Sequence, residues 1–233
     1  MNFKKYIKLF APLGISLTIT ACANMLMLNV PNTLTSSNTY QAGKGEVGVR
    51  VLYYIPYAAD FKLGITDHVQ LSGMATSNNS YDAGIQINLQ NNKKMFNPAM
   101  FGIGGGVYGM GFSQEDTSLF DSSIVDAFKY GPAYYIYSGW YPGIRFNEHI
   151  SLSIPLRFIV LTGTYEHYEV YNNSTTPGSY TVEAAIFEED WSFDWKYIGM
   201  RVGINLPQII RQNKSDVVII FIPGIESGIY FKW

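Results

Sequence analysis

Few side chains in this 233-residue chain could do chemistry, and they are scattered. There are three histidines, His68, His149 and His167, and one cysteine, Cys22. Nucleophilic hydrolysis needs a serine or cysteine beside a histidine that a third group orients. His149 and Ser151 stand two apart and so would share a face of a strand. His167, between Glu166 and Tyr168, is the best single candidate, with no serine assigned to it. No catalytic set assembles from these residues, and the chain is read as a non-enzyme. One cysteine excludes a disulfide framework, and no Cys/His spacing suits structural zinc. Glu115, Asp116, Asp121 and Asp126 cluster in 113–126 without a lysine or arginine. Their spacing follows no calcium-loop pattern, so a solvated acidic loop is expected, with neither metal nor cofactor. Gly102-Ile103-Gly104-Gly105-Gly106 lies in a strand-like run and opens no helix, so it reads as curvature or close packing of aromatic neighbours rather than as a phosphate cradle. A net charge of -2 leaves no basic footprint for nucleic acid.

Arg50, Arg157 and Arg201 are more informative, because each falls on the polar phase of an alternating run. In 150–160 the even positions are Ile150, Leu152, Ile154, Leu156, Phe158 and Val160, and the odd ones include Ser151, Ser153 and Arg157. Ile198, Met200, Val202, Ile204 and Leu206 oppose Gly199, Arg201, Gly203 and Asn205; Val47, Val49 and Val51 oppose Gly48 and Arg50; Ile85, Ile87 and Leu89 oppose Gly84, Gln86 and Asn88. Period two is the spacing of a strand with two unlike faces. A soluble barrel or sandwich would turn the apolar face inward, and a membrane barrel would turn it to lipid. Only 15% of residues are charged, against about 25% in ordinary globular domains. The polar faces carry glycine, serine, amides and a few arginines, which suits a narrow lumen. The 18 tyrosines and 14 phenylalanines suit girdles at the membrane interfaces. A membrane barrel is therefore preferred.

In such a barrel the three arginines face the lumen, since a charge on the lipid face near the midplane costs roughly 2–4 kcal/mol. Glu46 and Glu226, also in phase, are candidate lumen-facing partners, together with tyrosine hydroxyls. The arginines could form an anion-selective constriction or a polar plug. With eight to ten strands side chains largely fill the interior, which favours the plug.

Both ends of the chain carry export signals by resemblance. Lys4, Lys5 and Lys8 precede an apolar stretch over 9–20, and Ile19-Thr20-Ala21-Cys22 resembles a bacterial lipobox. The resemblance implies a signal peptide over 1–21, lipidation of Cys22 with palmitate among the acyl chains, and sorting to the outer membrane because Ala23 follows. A retained helix over 9–30 stays open as the alternative. Residues 22–45, rich in Thr, Ser and Asn, read as a tether, and 46–233 as the barrel domain. At the other end Ile225, Ser227, Ile229, Phe231 and Trp233 share one phase. Ile229, Phe231 and Trp233 resemble the terminal signal of bacterial outer-membrane barrels, which implies the barrel-assembly machinery as a partner.

Strands are predicted near 46–55, 59–66, 69–77, 81–90, 99–112, 130–146, 150–167, 180–189, 193–206 and 216–233. The fold class is thus all-β: one antiparallel up-and-down transmembrane barrel, ten strands preferred and eight the alternative. Pro142, Pro155 and Pro223 fall inside these runs, where a ladder tolerates them only at bulges or edges. Short turns at 66–68 and 147–149 belong with the termini on the periplasmic side; the longer segments 77–81, 113–126 and 169–179 belong outside. The two short turns share a pattern (acid, His, branched, polar, Leu, Ser) that reads as one hairpin solved twice. By pattern the chain resembles the small bacterial outer-membrane barrels. This implies contact with outer-membrane lipid, and a structural, surface-interaction or narrow-pore role around a largely plugged polar lumen. Any small ligand or ion stays unidentified. A lipid-tethered soluble periplasmic barrel that binds a small hydrophobic ligand is the alternative, and a barrel lipid-modifying enzyme is a third reading.

Overall fold

Alternation becomes strand almost throughout. The computed structural model describes residues 25–29, 40–52, 57–77, 79–92, 94–108, 127–169, 174–213 and 218–233. Within them lie β1 (Met25–Asn29), β2 (Gly45–Leu52), β3 (Ala58–Gly64), β4 (Val69–Thr76), β5 (Tyr81–Asn91), β6 (Met95–Gly106) and β7 (Ala127–Trp140). There follow β8 (Gly143–Arg145), β9 (Ile150–Ser153), β10 (Leu156–Glu169), β11 (Ser174–Asp194), β12 (Ile198–Gln212), β13 (Val218–Ile222) and β14 (Gly224–Lys232). Each of β2 to β6 pairs antiparallel with its successor, β7 pairs with β10, β10 with β11, β11 with β12 and β12 with β14. β14 then closes the ring on β2, with Phe231 opposite Val47 and Ile229 opposite Val49. The result is a closed antiparallel barrel of ten staves, with β8 continuing β7 and β9 beginning β10. Closure satisfies the backbone donors and acceptors that an open sheet edge would expose to hydrocarbon.

Proline explains where staves break. Pro142 separates β7 from β8, Pro155 separates β9 from β10, and Pro223 separates β13 from β14. A residue without an N–H interrupts its own ladder but still accepts. Ile154 N–H donates to Pro142 O and Glu188 N–H to Pro155 O, each at 2.9 Å, so neighbouring staves seal both gaps. The hairpins at the end that carries Gly45 and Trp233 are short and share one device. The Asn147 side chain accepts from the N–H groups of His149 and Ile150, Thr66 from those of His68 and Val69, and Asn92 from those of Lys94 and Met95. Such side-chain caps are how short polar residues turn a strand. By the short-turn rule of bacterial barrels this is the periplasmic end.

Two elements differ from the sequence reading. β11 runs unbroken for 21 residues and turns at 195–197, because Glu188, Asp190 and Ser192 keep the inward phase through a charged run that reads as a strand end. Residues 25–29 form a strand, which neither the tether over 22–45 nor a helix over 9–30 anticipates. They pair in parallel with β13, Met25 opposite Val218 and Asn29 opposite Ile222. Among the described residues no helix is long and apolar enough to cross a membrane, which says nothing of strands.

The faces point as a membrane barrel requires. Phe158 is 48% exposed while its neighbour Arg157 is 1% exposed. Val47, Val49, Val51, Ile85, Ile103, Ile204, Ile225 and Ile229 also face out. A water-facing wall of this composition would be strongly disfavoured, so its solvent is lipid. Trp140, Phe146, Trp195, Tyr197, Phe231 and Trp233 gather as an exposed belt toward the periplasmic end. Phe158→Arg is expected to lower unfolding stability in lipid vesicles by about 2–4 kcal/mol; Phe158→Leu is expected to leave it within about 1 kcal/mol. Equal effects in urea titrations would contradict the outward placement.

Candidate functional site: the lumen of the barrel

The inward phase of each stave delivers one side chain every two residues to a common interior, and the interior has two chemically different halves. Along β11 the inward residues are Tyr180, Val182, Ala184 and Ile186 toward the outer end, then Glu188, Asp190 and Ser192 toward the periplasmic end. β10 with β9 reads the same way: Tyr165, Leu161 and Ile159, then Arg157, Ser153 and Ser151. On these staves the interior is polar only toward the periplasmic end, while at the outer hairpin of β4 and β5 Ser80 and Asp82 are also buried; the sequence reading expects a polar lumen.

In the polar half every arginine has a carboxylate. Arg50 lies 3.4 Å from Asp60 and 3.3 Å from Glu226, Arg201 lies 2.5 Å from Glu46, and Arg157 lies 3.2 Å from Glu188. Two of the guanidiniums also stack on aromatic faces: Arg201 sits 3.8 Å from the Tyr230 ring centroid and Arg157 sits 5.4 Å from that of Tyr137. Lys62 donates to Gln86 at 2.6 Å, and Tyr135 and Tyr137 donate to Asp82 at 2.6 and 3.2 Å. Just before the first stave, Tyr40 donates to Glu46. Burial and the Glu46 carboxylate hold the Tyr40 hydroxyl well above the ordinary phenol range, so it stays a donor at any physiological pH. The buried inward ionisable residues are Glu46, Asp60, Asp82, Glu188, Asp190 and Glu226 against Arg50, Lys62, Arg157 and Arg201. Among the described residues six acids face four bases, a formal excess of -2, so the three arginines by themselves do not make the lumen cationic.

Asp60, Lys62, Asp82, Glu188 and Asp190 are the site residues that sequence reasoning missed. The signal was present: Ala58, Asp60 and Lys62 alternate with Ala59, Phe61 and Leu63 in the same way as the arginine-bearing strands.

Tyrosine is the other surprise. The sequence reading assigns aromatics to interface girdles, yet Tyr135, Tyr137, Tyr141, Tyr165, Tyr180 and Tyr230 are buried inside. Several lie flat over a glycine directly across the ladder: Tyr135 over Gly104, Tyr137 over Gly102, Tyr180 over Gly163, Tyr165 over Gly178 and Tyr230 over Gly48. A Cβ at any of these glycines would overlap the ring, and one at Gly84 would lie 2.5 Å from the Tyr137 hydroxyl. Glycine on one stave thus makes room for a ring from the next, a cross-strand rescue of the glycine.

The remaining predicted residues fall elsewhere. Ile229, Phe231 and Trp233 face outward on or just beyond β14. Cys22 and the acidic stretch 113–126 lie outside the described residues. His68 and His149 are exposed in periplasmic-end turns, and His149 Nδ1 lies 2.7 Å from Asp194 O. Ser151 is buried within the lumen while His149 precedes the strand, so the two do not share a site. His167 stands on β10 opposite Phe128 and Thr176, toward the outer end.

The chain matches no protein-family model and no curated protein. Solved structures with a similar arrangement include the attachment invasion locus protein Ail of Yersinia pestis, at 11% identity and TM-score 0.39, covering 83% of this chain and 100% of that one. The outer membrane protease OmpT of Escherichia coli aligns at 11% identity and TM-score 0.43, covering 87% of this chain and 97% of that one. A KdgM porin in complex with disordered oligogalacturonate aligns at 9% identity and TM-score 0.35, covering 82% and 99%. The protease corrects one sequence-based expectation. An outer-membrane barrel of this general form can be an enzyme, so the reading of this chain as a non-enzyme does not stand.

Breaking the Arg157–Glu188 pair from one side strands a buried charge, which costs about 3–5 kcal/mol, whereas replacing both partners with apolar residues of like size is near neutral. Arg157→Met alone is thus expected to lower the urea midpoint sharply, and Arg157→Met with Glu188→Met to restore most of it. An additive double variant would show that the pair is not the unit.

Proposed function

We propose that this chain is a lipid-anchored outer-membrane barrel whose lumen is closed to ions, and whose role is to hold its external segments at the cell surface rather than to conduct. The observation that carries this reading is the two-layer lumen. A cross-linked set of buried charges fills the periplasmic half, and Leu161, Tyr165, Tyr180, Val182, Ile219 and Phe221 join one apolar cluster above it. A hydrated path would have to cross both layers, and an apolar constriction gates by dewetting.

The N-terminal motif ending at Cys22 supports a lipid anchor, with 1–21 removed and 46–233 forming the body. Ile229, Phe231 and Trp233 support recognition by the barrel-assembly machinery, since they present alternate outward side chains on the stave that closes the ring. Outer-membrane lipid is the other partner that the outward wall implies.

Purified full-length protein in a planar bilayer is expected to give no steady conductance steps; reproducible steps would overturn the sealed-lumen reading. Metabolic labelling with palmitate is expected to mark the chain and to be lost in Cys22→Ala; an unlabelled parent chain would remove the anchor from the proposal.

A further inference from the structure

β1 is the element that neither the barrel nor the anchor explains. Among the described residues this five-residue strand has no partner in the ring and pairs only with β13, itself outside the ring. Leu28 at its centre is 0% exposed. It belongs to the same buried cluster as Tyr135, Leu161, Tyr180 and Ile186, all inward side chains of β7, β10 and β11. A residue packed in that cluster lies inside the barrel, and its register partner Phe221, on β13 between Gln212 and Asn205, sets its depth in the outer half.

The direction of β1 follows from its register. β12 rises from Ile198, opposite Phe231 at the periplasmic end, to Gln212 at the outer end. The Ile219 N–H donates to the Gln212 side chain, so β13 starts high. It descends until Gly224 N–H meets the Asn205 side chain at 2.9 Å. β1 is parallel to β13, so Met25 is its outer end and Asn29 its inner end. Farther along the chain Tyr40 bonds to the inward Glu46 at the opposite mouth of the barrel. Eleven residue steps join Asn29 to Tyr40. Their reach of about 38 Å exceeds the roughly 25 Å apolar band.

We propose that the protein threads its own barrel: the chain ahead of Met25 leaves at the outer mouth, and the N-terminal strand β1 is the occupant that closes the apolar half of the lumen. This rests on the anchor reading in one respect only. Three residue steps separate Cys22 from Met25, a reach of about 10 Å, so an acylated Cys22 enters the outer leaflet, on the face of the membrane opposite to the first stave's start. Threading also rationalises the pairing of a lipid anchor with a transmembrane barrel: the barrel is the conduit through which its own lipidated end reaches the surface.

Two measurements on the full chain test the threading, and palmitate labelling tests the lipid separately. A short epitope inserted between Ala23 and Asn24 is expected to bind antibody on intact cells, with less than a twofold rise after the outer membrane is permeabilised. Binding only after permeabilisation overturns the proposal. In a Cys22→Ala background, Leu28→Cys with the register partner Phe221→Cys is expected to oxidise to an intrachain link that shifts gel mobility. The pair Leu28→Cys with outward-facing Ile103→Cys is expected not to link. Absence of the first link, or equal linking of both, overturns threading whether or not the chain is lipidated. A surface epitope and a specific link without palmitate would leave the threading intact and remove the lipid.

Discussion

Within the bilayer neither side of a ten-stave wall offers bulk water, and most features of this molecule follow from that deprivation. Hydrocarbon outside demands that backbone groups pair around a closed ring and that outward side chains be apolar. Side chains inside must then satisfy one another, because a small barrel leaves almost no room for solvent. A buried arginine without a carboxylate would cost several kcal/mol. Arg50, Arg157 and Arg201 accordingly each meet an acid from a different stave. These pairs tie staves distant in sequence, Arg201 on β12 to Glu46 on β2 for example, and so help to fix the closing register.

The same deprivation accounts for the tyrosine–glycine notches. A ten-stave lumen is too narrow for bulky residues at every inward position, so rings alternate with glycines across the ladder. Tyrosine rather than phenylalanine fills several of these sites in or near the polar half. There a hydroxyl can donate to Asp82, as Tyr135 and Tyr137 do. Toward the outer mouth the interior turns aliphatic, and β1 and β13 enter where charge would find no partner. The switch occurs along single staves, between Ile186 and Glu188 on β11 and between Arg157 and Ile159 on β10.

Period-two alternation made the barrel legible from the residues alone, because a strand between lipid and lumen has two sharply unlike faces. The placement of Phe158 against Arg157 could be stated in advance for that reason, whereas the predicted strands run through Pro142, Pro155 and Pro223, where the structure breaks them. What alternation hides is the chemistry of an inward face that is itself apolar. Ile159 and Leu161 follow Phe158 and Val160 without a polar residue between them, so phase fades exactly where the lumen turns aliphatic. The role of β1 was illegible for a related reason. Met25-Leu26-Met27-Leu28 follows an apolar signal-like stretch and merges with it, and only the shared register with Val218–Ile222 distinguishes the two. Glu188 and Asp190 straddle the end of the predicted strand 180–189, and only the unbroken β11 shows that alternate members of the acidic run point opposite ways.

The most direct measurement is a tryptophan scan along 157–162, in a background whose native tryptophans are replaced by phenylalanine, reconstituted in vesicles whose lipids carry bromine on the acyl chains. Bromine quenches fluorescence on contact. The account predicts strong quenching at 158 and 160 and weak quenching at 157, 159 and 161, a sawtooth with period two. Uniform quenching, or the opposite phase, would contradict the claim that the aliphatic and arginine-bearing residues of one face are enclosed while their neighbours meet lipid.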